Sequence, residues 1–121
     1  MKFSVLVAIV AEELEDKAIE VAKKAGASGV TILTARGIGA KEKKTFLGLT
    51  FEGRESILIY VLERKLALEV LKALNKELNL EEEDHGIAFT LPIEHLAGID
   101  KYQITKFTEK IKEEIWWENK F

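Results

Sequence analysis

The sequence has no cysteine, which excludes disulfides, thiolate metal sites and thiol nucleophiles. It has only two histidines, His85 and His95, and one proline, Pro92. Positive charge is not in excess: 18 Lys and Arg stand against 21 Asp and Glu, a net charge of −3 with no basic stripe, so no nucleic-acid footprint is present. No apolar run is long enough to span a membrane. There is no Ser/His/Asp arrangement in a suitable context and no Walker-type phosphate loop, and the many paired carboxylates lie on helix faces and turns, where solvation explains them. The chain reads as a non-enzyme. Asn and Gln are scarce beside abundant Glu and Lys, a mix common in heat-adapted proteins.

What remains is an ordered, well-solvated chain of 121 residues, 47% hydrophobic and 32% charged, a length that suits a single domain over 1–121. Met1-Lys2 before the apolar run Phe3 to Ala11 has the outline of an export signal. The run passes straight into an amphipathic helix with one Lys ahead of it and no small-x-small cleavage pattern, so a first β-strand and a cytoplasmic protein are expected.

In order along the chain, Phe3 to Val10 reads as a central strand covered on both faces, because it is almost wholly apolar. Glu12 to Ala25 places Leu14, Ala18, Val21, Ala22 and Ala25 at helical spacing, with Gly26 set to act as the C′ residue. Val30 to Ala35 is β-branched or apolar and gives a second strand. Thr45 to Phe51 alternates loosely as a hairpin arm turned by Glu52-Gly53-Arg54. Ser56 to Leu62 is a buried strand, and Leu66 to Leu80 is a helix with a stripe of Ala67, Val70, Leu71, Leu74 and Leu78. Gly86 to Leu91 is a fourth strand ended by Pro92. Asp100-Lys101-Tyr102-Gln103 resembles a capping box for a last helix over about 101–118, carrying Ile104, Phe107, Ile111 and Ile115 on one face.

This order predicts an α+β fold, a ferredoxin-like βαββαβ sandwich with an additional C-terminal helix. The sheet of such a fold has an uncovered second face. The apolar character of the first and third strands predicts an oligomer that buries it.

The chain is organised around Gly26 to Gly39, a strand with glycines at both ends. Arg36-Gly37-Ile38-Gly39 combines a guanidinium with two residues lacking Cβ, and backbone N–H groups and Arg both favour an anion. Gly29-Val30-Thr31 followed at this spacing by Arg36-Gly37-Ile38-Gly39 resembles the P-II nitrogen-regulatory signalling proteins. The resemblance extends through the charged loop and the Asp84-His85-Gly86 turn, over about residues 3–100. It implies a homotrimeric regulator that binds an adenine nucleotide in the clefts between subunits and grips a transporter or metabolic enzyme with the loop after its second strand.

Carried over, the resemblance places Thr31 near the ligand base and Gly37, Ile38 and Gly39 along its phosphates beside Arg36. Asp84, His85 and Gly86 then form the second ligand loop. Several of the family's cations are replaced: Ala40 follows the glycine pair, Ile87 follows the second-loop glycine, and Gly98 and Asp100 stand near the family's two arginines beyond the fourth strand. Charge-assisted bonds are what offset phosphate desolvation, so the implied effector is an adenine nucleotide of lower charge (AMP or ADP ahead of ATP) or bicarbonate. The loop from Ala40 to Glu55 has no tyrosine, which removes nucleotidylation of a tyrosine as a control. The alternative is a structural or interaction subunit that has lost nucleotide binding.

Three further features have simpler readings. His85 and His95 with Glu83, Asp84 and Glu94 offer nitrogen and oxygen ligands, yet scattered histidines in a carboxylate-rich chain are ordinarily surface residues, and no metal is expected. Arg64 and Lys65 oppose the dipole at the start of the second helix, a conflict that a bound anion or Glu63 would relieve. Trp116 and Trp117 lie about a hundred degrees apart on a helix, suiting core or subunit-interface packing better than a membrane.

Overall fold

The computed structural model describes residues 1–36, 45–46, 49–50, 53–82 and 85–99. The elements are β1 (Phe3–Ala11), a 3-10 turn (Glu12–Leu14), α1 (Glu15–Lys24), β2 (Thr31–Arg36), β3 (Thr45–Phe46), β4 (Leu49–Thr50), β5 (Arg54–Glu63), α2 (Arg64–Leu78) and β6 (Gly86–Pro92). The main sheet has the order β2-β5-β1-β6 with every neighbour antiparallel. This is the expected ferredoxin-like α+β arrangement. The additional C-terminal helix lies outside the described residues.

α1 stops where the sequence placed its end. Gly26, at φ 116°, lets its N–H reach the Lys23 carbonyl (3.0 Å) while the Ala27 N–H reaches that of Ala22 (2.9 Å), the paired bonds of a Schellman cap. Its beginning differs from expectation: Glu12 to Leu14 wind as a 3-10 turn, and no side chain caps either start. Glu15 then ties the first turn of α1 to the sheet by accepting a 2.7 Å bond from the buried Ser56 hydroxyl of β5.

α2 is shifted two residues toward the N-terminus of its expected span. The Glu63 carboxylate accepts from the Lys65 and Leu66 N–H groups at 2.9 and 3.1 Å, so the helix begins at Arg64 and its positive end is already occupied. Asn79 takes a left-handed conformation (φ 52°, ψ 52°) and ends it at Leu78, as short polar side chains tolerate that region.

The described residues of Thr45 to Phe51 do not pair with β5 across the turn expected at Glu52-Gly53-Arg54. β3 and β4 pair with each other, Thr45 opposite Thr50. β5 starts at Arg54 with β2 on one side and β1 on the other, so neither of its edges is open to a further strand.

Side chains alternate along β1 and β5 between two environments. Leu6, Ala8 and Val10 of β1 and Leu58, Tyr60 and Leu62 of β5 are buried beneath Ala18 and Ala22 of α1 and Leu66, Ala67, Val70, Leu74 and Leu78 of α2. Each large aliphatic side chain buried here contributes about 1.5–3 kcal/mol. Both helices lie on this one face. Among the described residues β1 is therefore covered on one side only, and nothing described supplies the second cover that its apolar run predicted. Its other face carries Val5, Val7 and Ile9, matched by register to Val61, Ile59 and Ile57 of β5 and to Leu91, Phe89 and Ile87 of β6. This lattice of apolar residues has no covering element among the described residues.

Candidate functional site

Thr31 and Arg36 are the first and last residues of the edge strand β2. At about 3.3 Å per residue, they stand roughly 17 Å apart along the strand. Their parity also separates them. Thr31 is opposite Ile59 and shares the open face of the sheet, whereas Arg36 is an odd number of residues away and belongs to the other face. The backbone register sets Arg36 directly opposite Arg54 of β5. Two cations of the same strand pair at this end make it a positively charged edge of the sheet. Arg54 reads in the sequence as a turn residue. Its place beside Arg36 is a matter of strand register, which no local pattern encodes.

His85 and Gly86 sit at the start of the opposite edge strand. The His85 Nδ1–H donates to the Leu78 carbonyl at 2.7 Å, satisfying one of the orphan acceptors at the C-terminus of α2. This bond fixes the tautomer and leaves Nε2 as the ring atom able to meet a ligand. The His85 carbonyl accepts from the Ala11 N–H at 3.2 Å, which holds the turn against the end of β1. Gly86 has φ 138°, and a Cβ there would run into the Ile9 carbonyl oxygen and lie 2.8 Å from Val10 Cα. Its glycine is thus demanded by the close approach of β6 to β1. Gly37, Ile38, Gly39 and Asp84 lie outside the described residues.

The pairings Arg36–Arg54, Glu55–Ala11 and Val10–Gly86 place Arg36 and Gly86 at the same end of the sheet. They are on opposite edges, however. Three inter-strand steps of about 4.8 Å separate β2 from β6, roughly 14 Å. One chain therefore does not gather Thr31, Arg36, His85 and Gly86 around a single ligand. The described residues form concavities that include one of about 700 Å³ beside Lys2, Arg64, Ile93 and Leu96 and one of about 430 Å³ at the end of α1. Neither is lined by any of those four residues.

The histidines do not converge either. His85 precedes β6 and His95 follows it, and His95 is exposed with its Nε2 3.6 Å from Glu94. Among the described residues no three His, Asp or Glu side chains are grouped to hold a metal, and no helix is long and apolar enough to cross a membrane.

Comparison with known proteins gives one family. A PII-like signalling protein from Thermus thermophilus is 25% identical over 77% of this chain and 88% of its own, with a TM-score of 0.58. CPII from Thiomonas intermedia, a nitrogen regulatory PII-like protein solved bound to ADP, AMP and bicarbonate, covers 82% of this chain and 98% of its own at 17% identity and a TM-score of 0.62. A structure of CPII bound to ADP and bicarbonate covers 77% and 87% at 18% identity and a TM-score of 0.59. At those identities the two CPII structures speak for the fold. No curated protein matches the chain. The family model for nitrogen regulatory protein P-II matches residues 3–102, most of the sequence and all of the βαββαβ core, and the chain belongs to that family.

Proposed function

We propose that this protein is a P-II-like regulator that senses a small anionic ligand, an adenine nucleotide or bicarbonate, in clefts between subunits of a homotrimer. One observation carries this reading. Thr31 and Arg36 occupy one edge of the sheet and His85 and Gly86 the other, so the two halves of the site can meet only when the edge of one copy adjoins the opposite edge of the next. The open apolar face supplies the driving force for that assembly, since a patch of this kind on a monomer is a subunit surface. Residues 3–100 act as the P-II-like domain and about 101–118 as an added helix.

In the assembled cleft, Arg36 and Arg54 neutralise the charged part of the ligand. Thr31 meets the base, the Gly37-Ile38-Gly39 backbone follows the phosphates, and Asp84-His85-Gly86 closes the far side. The ligands of CPII, namely ADP, AMP and bicarbonate, are the effectors that suit a site with this few cations. Ligand binding then biases the loop over 40–55 between two states, and the favoured state engages a transporter or metabolic enzyme in the cytoplasm. Only a difference in affinity for the two loop states is needed.

A thermal-shift series with ADP, AMP, ATP and bicarbonate tests the proposal, because a ligand bound only by the folded state raises the melting temperature by mass action. Stabilisation by ADP, AMP or bicarbonate that is lost in Arg36→Ala is expected. A second reading, a non-sensing interaction subunit, is favoured by Ile87. This residue stands 59% exposed on the open face, where the P-II pattern has a lysine. An unchanged melting temperature with every ligand, in a protein that still assembles, would select it.

A further inference from the structure

The concavity of about 700 Å³ lies where the start of β1, the start of α2 and the chain after β6 come together. Backbone bonds hold these three in place: the Arg64 N–H donates to the Lys2 carbonyl and the Ile93 N–H to that of Phe3, both at 2.9 Å. Phe3, Ile93, Leu96 and Ile99 give the concavity apolar walls, and Lys2 and Arg64 set two cations against the single carboxylate of Glu94. Leu96 remains 41% exposed. Apolar side chains around a hollow of this size forgo burial and contacts that an occupant would supply. The place is remote from the cleft proposed above. It adjoins Phe3, whereas Arg36, Gly86 and Ala11 share the other end of the sheet, and eight steps of about 3.3 Å along β1 make that roughly 26 Å.

We propose that this concavity is a docking site for the chain's own C-terminal segment, residues 100–121, which folds back as a helix with Ile104 and Phe107 against the apolar walls. Continuity of the chain is the first argument. Ile99, the last described residue, is itself part of the wall, and Ile104 follows five residues later, a reach of roughly 18 Å even for extended chain. The pattern of the segment is the second. Ile104, Phe107, Ile111 and Ile115 recur at helical spacing, and such a stripe requires an apolar surface to cover. Charge is the third. Asp100 lies four residues before Ile104, and Glu114 and Glu118 lie three after Ile111 and Ile115, so one flank of the stripe is acidic. That flank complements Lys2 and Arg64, and such rim pairs orient the helix more than they hold it.

The test uses the full-length protein and its lack of cysteine, which makes any introduced pair of thiols unambiguous. Thr108→Cys, four residues after Ile104, is combined in turn with Lys2→Cys at the concavity, Phe89→Cys on the open sheet face and Glu20→Cys on the exposed side of α1. A parallel series with Gln103→Cys covers the other flank of the stripe. Lys2 and Glu20 are exposed, so these changes leave the core intact. Disulfide formation under mild oxidation is followed by non-reducing electrophoresis and mass mapping, since the bond requires Cα atoms within about 7 Å. In at least one series the Lys2→Cys pair is expected to close within a single chain, about tenfold or more faster than the Glu20→Cys pair, because docking raises the effective concentration of the two thiols. The proposal is overturned if the Lys2→Cys pair is no faster than the Glu20→Cys pair in both series. It is equally overturned if the Phe89→Cys pair closes fastest, which would put the segment on the open face, or if the Lys2→Cys link joins two chains, which would make the occupant a segment of a second copy.

Discussion

Gly86 is a residue whose identity this fold can hardly exchange. In Gly86→Ala the new Cβ would meet backbone atoms of Ile9 and Val10, and φ 138° would be strained for any L side chain. The neighbouring atoms belong to the central strand and cannot swing away, so a loss of about 2–4 kcal/mol is expected in urea unfolding. In the sequence this glycine reads as part of a ligand loop, and the strand contact adds a structural reason for it that only the pairing of β6 with β1 discloses. Tyr60 makes a second prediction at this scale. Its folded-state pKa lies above the unfolded value of 10.0, so above pH 10 the unfolded chain gives up a proton that the folded chain retains. The stability this residue contributes is full below pH 10 and falls as pH rises toward the folded pKa. Parent protein should therefore lose stability relative to Tyr60→Phe on going from pH 9 to about pH 11, as read by paired thermal melts.

At the scale of elements, Glu63 does the most with one side chain. It ends β5 and caps α2, and its two accepted bonds remove the conflict that Arg64 and Lys65 pose to the helix dipole. Glu63→Ala leaves those N–H groups unmet in a buried setting and should cost about 1–2 kcal/mol, whereas Glu63→Asp, a better intrinsic cap, should restore part of it. Urea midpoints of the three proteins check this. The same elements show what a sequence can disclose. Helix and strand periodicity located β1, α1, β5, α2 and β6, and Gly26 marked the stop of α1, because these signals are local. The start of α2 and the self-pairing of β3 with β4 were not legible. One depends on a carboxylate folding back on the next turn, the other on which sheet edges are already taken. The Arg36–Arg54 pairing escaped for the same reason.

For the whole molecule, the open sheet face and the divided site make one argument. Val7 and Ile59 lie opposite one another at the middle of that face. Ile59→Asp would put a charge there that a monomer solvates but an interface must bury unpaired, at a cost of several kcal/mol. Light scattering should show the variant as a single folded chain and the parent as a trimer. The apolar strands made the open sheet face legible in the sequence, and the glycine-and-arginine pattern made the family legible. The expected βαββαβ order already sets Thr31 and Arg36 on one edge and His85 and Gly86 on the other; what no short motif conveyed was the register that separates Thr31 from Arg36 by face and seats Arg36 opposite Arg54. The measurement that tests the account most directly is calorimetric titration of ADP into parent, Arg36→Ala and Ile59→Asp. The account predicts saturable binding to the parent alone, with Arg36→Ala lacking the anion contact and Ile59→Asp lacking the cleft. Equal binding by the monomeric Ile59→Asp chain, or none by an assembled parent, would contradict it.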